Sequence, residues 1–276
     1  MSDGEAWARD LLRELRTGRY GIRAWICFFT GSFQRARSVR HERRREHRQV
    51  LLVGAAGLAA WSPVAAFRPW LALAGALWWV LVTAMLDWHL GMLEDDSGRP
   101  LGRLGLPNLL TLARASVIPA FPIVSPSLLA ALFIPAGLID GIDGPLARRR
   151  HEATRLGVWL DGTVDTLALS AAAVGAARHG LLPWWTAWLV VARHAAPWLF
   201  VSLAYFIRAE APQLRRAPSG KAAGILLFGG FVVAALGLPG AVPLVLLGTV
   251  GGLATLAVTL VRAQPVRGRP VLPPPA

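Results

Sequence analysis

Asp140, Asp143, Asp161 and Asp165 lie within one short stretch, DGIDGPLARRRHEATRLGVWLDGTVD, of a chain in which 54% of residues are hydrophobic. Asp140 and Asp143 are three apart, and Asp161 and Asp165 four apart. On helices both spacings put the pair on one face. Two such helix ends facing each other bring four carboxylates together. Near lipid, four carboxylates repel strongly and carry a large desolvation cost. Divalent cations relieve both, and oxygen ligands of this kind suit Mg²⁺ or Mn²⁺.

The elements that must position them are membrane helices. Mean hydropathy is +0.47, and apolar windows of bilayer-spanning length, about 17–25 residues, recur along the chain. The expected fold is an all-α polytopic membrane helix bundle. Spans are expected near 50–66, 70–91, 107–124, 127–147, 156–178, 183–206, 220–238 and 242–262, with Pro and Gly at most turns. The expected organisation is a basic juxtamembrane segment over 1–48, two additional spans over 49–92, a six-span core over 105–262 and a proline-rich tail over 263–276. Residues 6–29 mix apolar and basic side chains near helical period, as in a helix lying on a membrane surface.

The net charge of +13 is read as membrane topology and contact with anionic lipid, not as nucleic-acid binding. With the N-terminus inside, Arg68 and Arg178 are the only Lys or Arg residues in outer loops, a positive-inside pattern that puts the aspartates at cytoplasmic helix ends. Cys27 is the only cysteine, which excludes an intramolecular disulfide and a cysteine metal cluster. Residues 1–48 lack the apolar core of a cleavable signal peptide. Asp87 is expected to be simply wetted, Arg149, Arg150 and His151 to be topogenic, and the tryptophans to be mostly interfacial anchors.

The run Asp140-x-x-Asp143-Gly144-x-x-Ala147-Arg148, eight residues, then Gly157-x-x-x-Asp161-x-x-x-Asp165 resembles the signature of the CDP-alcohol phosphotransferase (phosphatidyltransferase) family. Pro107-Asn108-x-x-Thr111-x-x-Arg114 resembles that family's first core helix. The resemblance implies transfer of a phosphatidyl group from CDP-diacylglycerol, or a similar CDP-linked donor, to an alcohol with release of CMP, in phospholipid biosynthesis. It further implies two metal ions held by Asp140, Asp143, Asp161 and Asp165, with Asp165 as general base, and a homodimer. Asn108, Thr111, Gly144, Ala147, Arg148 and Gly157 would flank the nucleotide and diphosphate together with Asp140 and Asp143. Gly144 removes a side chain where the nucleotide approaches, and Gly157 and Ala147 allow close helix approach or ligand access. Arg148 is suited to gripping a phosphate oxygen.

Arg155, Arg193 and Lys221 are candidates to hold a phosphorylated acceptor; the other readings are pairing with the aspartates or snorkelling. His194, beside Arg193, is a weaker candidate. Thr166 stands where phosphatidylglycerophosphate synthases of the family tend to have lysine, so inositol phosphate, glycerol phosphate and phosphatidylglycerol all stay open as acceptors. Two other classes compete. An intramembrane prenyltransferase also uses aspartates, Mg²⁺ and a diphosphate, but lacks the Gly144-x-x-Ala147-Arg148 continuation. An ion-coupled transporter uses intramembrane aspartates, but more often shows broken helices and internal symmetry.

Overall fold

The computed structural model describes residues 3–95, 97–208 and 218–262. The proline-rich tail and residues 209–217 lie outside the described residues. Ten α-helices and no sheet form among the described residues. They are α1 (Asp3–Thr17), α2 (Ile22–Glu42), α3 (Arg44–Trp61), α4 (Pro69–Trp88), α5 (Leu106–Val117), α6 (Pro126–Arg149), α7 (Arg155–Arg178), α8 (Trp184–Arg208), α9 (Pro218–Ala235) and α10 (Ala241–Arg262).

Helices α3 to α10 occupy the eight expected positions. Five stretches are long and apolar enough to cross a membrane by length and composition: 44–66, 69–88, 126–149, 184–207 and 241–259. Only 11% to 28% of each window is buried inside the protein, so most of this apolar surface faces outward, as lipid-facing surface does. The apolar part of α9, Gly220–Ala235, is shorter. The remaining two helices fall short for reasons tied to the site. Helix α5 is only 12 residues long and passes into a 3₁₀ turn at Ile118–Ala120. Helix α7 carries Arg155, Asp161 and Asp165 in its first half.

Local chemistry sets where these helices start. Helices α4, α5 and α6 each open with a proline in the first turn, where its missing N–H costs nothing. The Thr154 hydroxyl caps α7 by accepting from the Gly157 N–H at 3.0 Å. This cap places Asp161 and Asp165 in the second and third turns of α7. Helix α5 begins after Gly105, at φ +77°, a conformation that glycine adopts without strain. Gly105 also leaves room for the Glu152 carboxylate, which would lie 3.2 Å from an added Cβ.

Small residues let the core helices approach closely. On α7, Ala168, Ala172, Ala173, Ala176 and Ala177 are buried, and a Cβ at Gly175 would strike the Phe121 carbonyl. Helices α3 and α4 form a hairpin in which tryptophans fill glycine notches, Trp79 at Gly57 and Trp61 at Gly75. Trp79 Nε1 donates to the Gly54 carbonyl at 2.9 Å. Trp78 Nε1 donates to the Ala115 carbonyl of α5 at 2.8 Å, which binds this hairpin to the rest of the bundle.

The basic N-terminal segment is helical almost throughout and bends twice. Arg19 and Tyr20, both at positive φ, separate α1 from α2, and Arg43 separates α2 from α3. Helix α3 starts at Arg44, inside the run expected to precede the span. Asp87 is not merely wetted: Arg40 Nε and His47 Nδ1 both lie 2.6 Å from its carboxylate. The end of α4 is therefore tied to the α2–α3 bend, because a carboxylate at a helix end near lipid is costly without a partner.

Candidate active site

The four aspartates meet at the end of the bundle, on facing stretches of α6 and α7, and the group at their centre is Arg114 of α5. Its Nη1 lies 2.7 Å from Asp140 Oδ1, 3.2 Å from Asp143 Oδ2 and 3.2 Å from Asp161 Oδ1, and Nη2 bonds Asp165 Oδ1. The Arg114 side chain is 4% exposed and that of Asp143 6%, against 41% for Asp140 and 36% for Asp165. Arg114 and Asp143 thus form a floor, and the other carboxylates open above it. The Thr111 hydroxyl lies 3.0 Å from Asp143 Oδ2 and 3.1 Å from the Pro107 carbonyl.

One guanidinium against four ionised carboxylates leaves a formal charge of −3. Ligand oxygens of Asp140, Asp161 and Asp165 lie within 4.8 Å of one another. A hard cation with oxygen ligands at about 2.0–2.6 Å can bridge such a group. Two divalent ions would turn the local charge to +1, which suits a diphosphate. The residues therefore fit a divalent metal. Asp143 stands apart from the three-residue group, since its Oδ2 already faces Thr111 and Arg114.

Space for a ligand lies beside the carboxylates. A Cβ at Gly141 or Gly162 would meet nothing within 4 Å, and one at Gly144 only the Arg148 Nη1 at 3.6 Å. Pro145 lies within α6 and has no N–H, so the Gly141 carbonyl lacks its usual helical donor. Arg148 is exposed at the end of α6, and Ala147 sits beside it with its carbonyl accepting from the Glu152 N–H at 2.9 Å.

Other residues of the motif hold helices together. A Cβ at Gly157 would lie 2.6 Å from Asn108 Oδ1, so this glycine serves close helix approach. Asn108 is itself buried, its Nδ2 donating to the Leu104 carbonyl at 2.6 Å. The Thr166 hydroxyl donates to the Gly162 carbonyl of its own helix at 2.9 Å.

The three acceptor candidates go to different places. Arg155 Nη1 lies 3.4 Å from Glu94 Oε1, and the Arg155 N–H donates to the Glu94 carbonyl at 3.1 Å. Arg193 fills the notch at Gly252 of α10, and its Nη1 is buried without a hydrogen-bond partner. Lys221 is exposed in the first turn of α9. His194 Nδ1 donates to the Val190 carbonyl at 2.8 Å.

Two important residues have roles that the sequence left unassigned. Arg114 was legible only as part of the α5 pattern, although an arginine in an apolar helix, three residues after Thr111, is itself a signal. Glu152, inside the eight-residue gap, was given no role. It is buried and receives the Arg103 Nη2 at 2.9 Å, the Leu106 N–H at 3.0 Å and the Arg150 Nε at 3.3 Å. It pins the α6–α7 loop to the start of α5. Arg150, expected to be topogenic, shares in that pin.

Comparison with known proteins agrees with the motif. A putative cardiolipin synthase of Mycobacterium tuberculosis is 34% identical over 97 residues, covering 33% of this chain and 46% of the relative. A probable phosphatidylglycerophosphate synthase of the same organism is 31% identical over 113 residues, covering 36% and 54%. The CDP-diacylglycerol--glycerol-3-phosphate 3-phosphatidyltransferase of Escherichia coli K12 is 37% identical over 90 residues, covering 30% and 49%. The chain spans about half the length of the curated relatives it matches. No solved structure matches. The sequence model for CDP-alcohol phosphatidyltransferase matches residues 104–261, more than half of the chain, and the protein belongs to that family.

Proposed function

We propose that the protein is an integral membrane transferase that moves a phosphatidyl group from CDP-diacylglycerol, or a similar CDP-linked donor, to an alcohol in phospholipid biosynthesis. The observation that carries this reading is the convergence of Asp140, Asp143, Asp161 and Asp165 on Arg114, beside the open flank at Gly141, Gly144 and Gly162. A diphosphate fits there because its charge complements the site once metal is bound. Mg²⁺ or Mn²⁺, held by the aspartates, would neutralise the diphosphate and polarise its phosphorus–oxygen bonds.

In this reading the acceptor hydroxyl attacks the phosphorus that bears the diacylglycerol. Its proton passes to the Asp165 carboxylate, the bond to the bridging oxygen breaks, and CMP leaves. Arg114 steadies the aspartates as charge redistributes, since its contacts are preorganised. Arg148, whose Nη1 lies over Gly144, would grip a donor phosphate oxygen. The six-helix core over 105–262 does the chemistry, and the spans within 49–92 and the segment over 1–48 are accessory. The positive-inside charge pattern supports a cytoplasmic site, and the family resemblance implies a homodimer. The orphan buried nitrogen of Arg193 favours a phosphorylated acceptor such as glycerol phosphate or inositol phosphate, while the relatives' names keep both glycerol phosphate and phosphatidylglycerol open.

Purified protein given radiolabelled CDP-diacylglycerol and a panel of alcohols should form one phosphatidyl product and release CMP. Release should stop in EDTA and return with Mg²⁺ or Mn²⁺; full turnover in chelator would sink the metal reading. Asp165→Asn should lower kcat by roughly 10²–10⁴-fold, the usual worth of a general base, while leaving CDP-donor binding measurable. Near-normal turnover would remove Asp165 from that role.

Arg193→Ala separates an acceptor residue from a structural one. Loss of a charge-assisted phosphate contact costs about 1.5–3 kcal/mol, so acceptor KM should rise roughly ten- to hundredfold with donor KM steady. A folded variant with unchanged acceptor KM would point to an uncharged acceptor. Arg114→Ala should destabilise the protein by about 3–5 kcal/mol, because it strands the buried carboxylate of Asp143. Thermal unfolding in detergent measures this, and Mg²⁺ should raise the variant's Tm more than the wild type's.

A further inference from the structure

The bend between α2 and α3 holds a cluster that the transferase chemistry does not use. A cavity of about 350 Å³ is lined by Arg37, Arg40, His41, Arg44, His47 and Arg48. The sequence explains the arrangement. Arg37, Arg40 and His41 are spaced i, i+3, i+4 on the last turns of α2, and Arg44, His47 and Arg48 repeat that spacing seven residues later on the first turns of α3. Each trio occupies one helix face, and the bend at Arg43 turns the two faces toward one cavity.

The corner is preorganised. Asp87 holds Arg40 and His47. Arg43 points elsewhere, donating to the Leu90 and Leu93 carbonyls at 3.1 and 3.2 Å and approaching Glu94 at 3.4 Å. Among the described residues, Arg37, His41, Arg44 and Arg48 pair with no carboxylate, and no acidic side chain lines the cavity. With both histidines neutral, four arginines against Asp87 leave a formal charge of +3. Like charges gathered around one open pocket repel, and a multivalent anion relieves that repulsion.

The surroundings say how such an anion arrives. Ile22, Ile26, Phe29 and Phe33 form one face of α2 and are 80%, 59%, 55% and 45% exposed, as on a helix lying in a membrane interface. On α3, Leu51 and Leu52 are exposed three and four residues beyond Arg48, where lipid-facing surface begins. The basic pocket therefore sits between the exposed apolar face of α2 and the start of the apolar stretch 44–66. Leu104 N–H donates to Gln49 Oε1 at 2.8 Å, which places the corner at the same end of the bundle as the loops around the aspartates.

We propose that the α2–α3 corner is a binding site for the phosphate headgroup of an anionic phospholipid, separate from the aspartate site. The arginines grip the phosphate oxygens, while the acyl chains run along the apolar side of α3. The site does not depend on the transferase reading.

The test uses full-length protein in zwitterionic detergent micelles, titrated with phosphatidylglycerol, phosphatidylcholine, or soluble glycerol phosphate, with intrinsic tryptophan fluorescence and Tm as readouts. Wild type should bind phosphatidylglycerol at least tenfold more tightly than either control. Each basic residue near an anionic membrane is worth about fivefold in affinity, so Arg37→Gln/Arg44→Gln/Arg48→Gln should lose roughly a hundredfold. Its CMP release in zwitterionic micelles should stay unchanged. The single variant Arg48→Gln, at an exposed position, should lose about fivefold and serves if the triple variant fails to fold. Equal phosphatidylglycerol affinity in wild type and Arg48→Gln would overturn the proposal. So would binding of soluble glycerol phosphate as tightly as the lipid, which would make the cavity a site for a soluble phosphate ester.

Discussion

Everything at the catalytic end of this bundle answers to one electrostatic constraint: four carboxylates have been brought to the end of membrane helices, and they need positive charge. Arg114 supplies the first unit from below, through contacts to all four. An arginine buried among apolar helices is itself expensive, so arginine and aspartates are tolerable only together. The remaining negative charge suits divalent cations. The same imbalance that makes the site costly as a structure is what a divalent cation would relieve.

Holding that cluster requires three helices at fixed rotation and depth, and the chain manages this with buried polar pins at the loop end. Thr154 caps α7, Gly157 admits Asn108, and Glu152 binds Arg103, Arg150 and the Leu106 N–H. Glu94 joins Arg43 before α3 to Arg155 at the start of α7. A helix rotated by one residue would turn an aspartate about 100° away from its partners. Deeper in the bundle, packing relies on close contact between small residues, as at Gly175 against Phe121. Lipid supplies no hydrophobic pressure to hold membrane helices together, so close packing and interhelical hydrogen bonds carry that load.

The segment over 1–92 follows the same rule with the opposite sign. There the excess is positive, and Asp87 and Glu94 compensate part of it. What stays uncompensated is concentrated in one cavity beside an exposed apolar helix face. The chain thus presents a negative cluster that could hold a metal ion, and a positive one at the α2–α3 bend.

By itself the sequence determined the helical class, the positions of α3 to α10 and the pairing of aspartates on two helices. All of these rest on local periodicity and apolar length, which a single segment carries within itself. It also determined the family, because the motif's spacings are set by the geometry of α6, its loop and α7. Only the tertiary structure decided that Arg114 lies at the centre of the aspartates, that Arg155 meets Glu94 and that Asp87 is bound by Arg40 and His47. It also decided that Asn108 fills the space left by Gly157. Each of these depends on how far one helix is rotated and sunk relative to another. A helix's own residues leave that relation open, and it is settled only when buried charges and small-residue faces must all be satisfied at once.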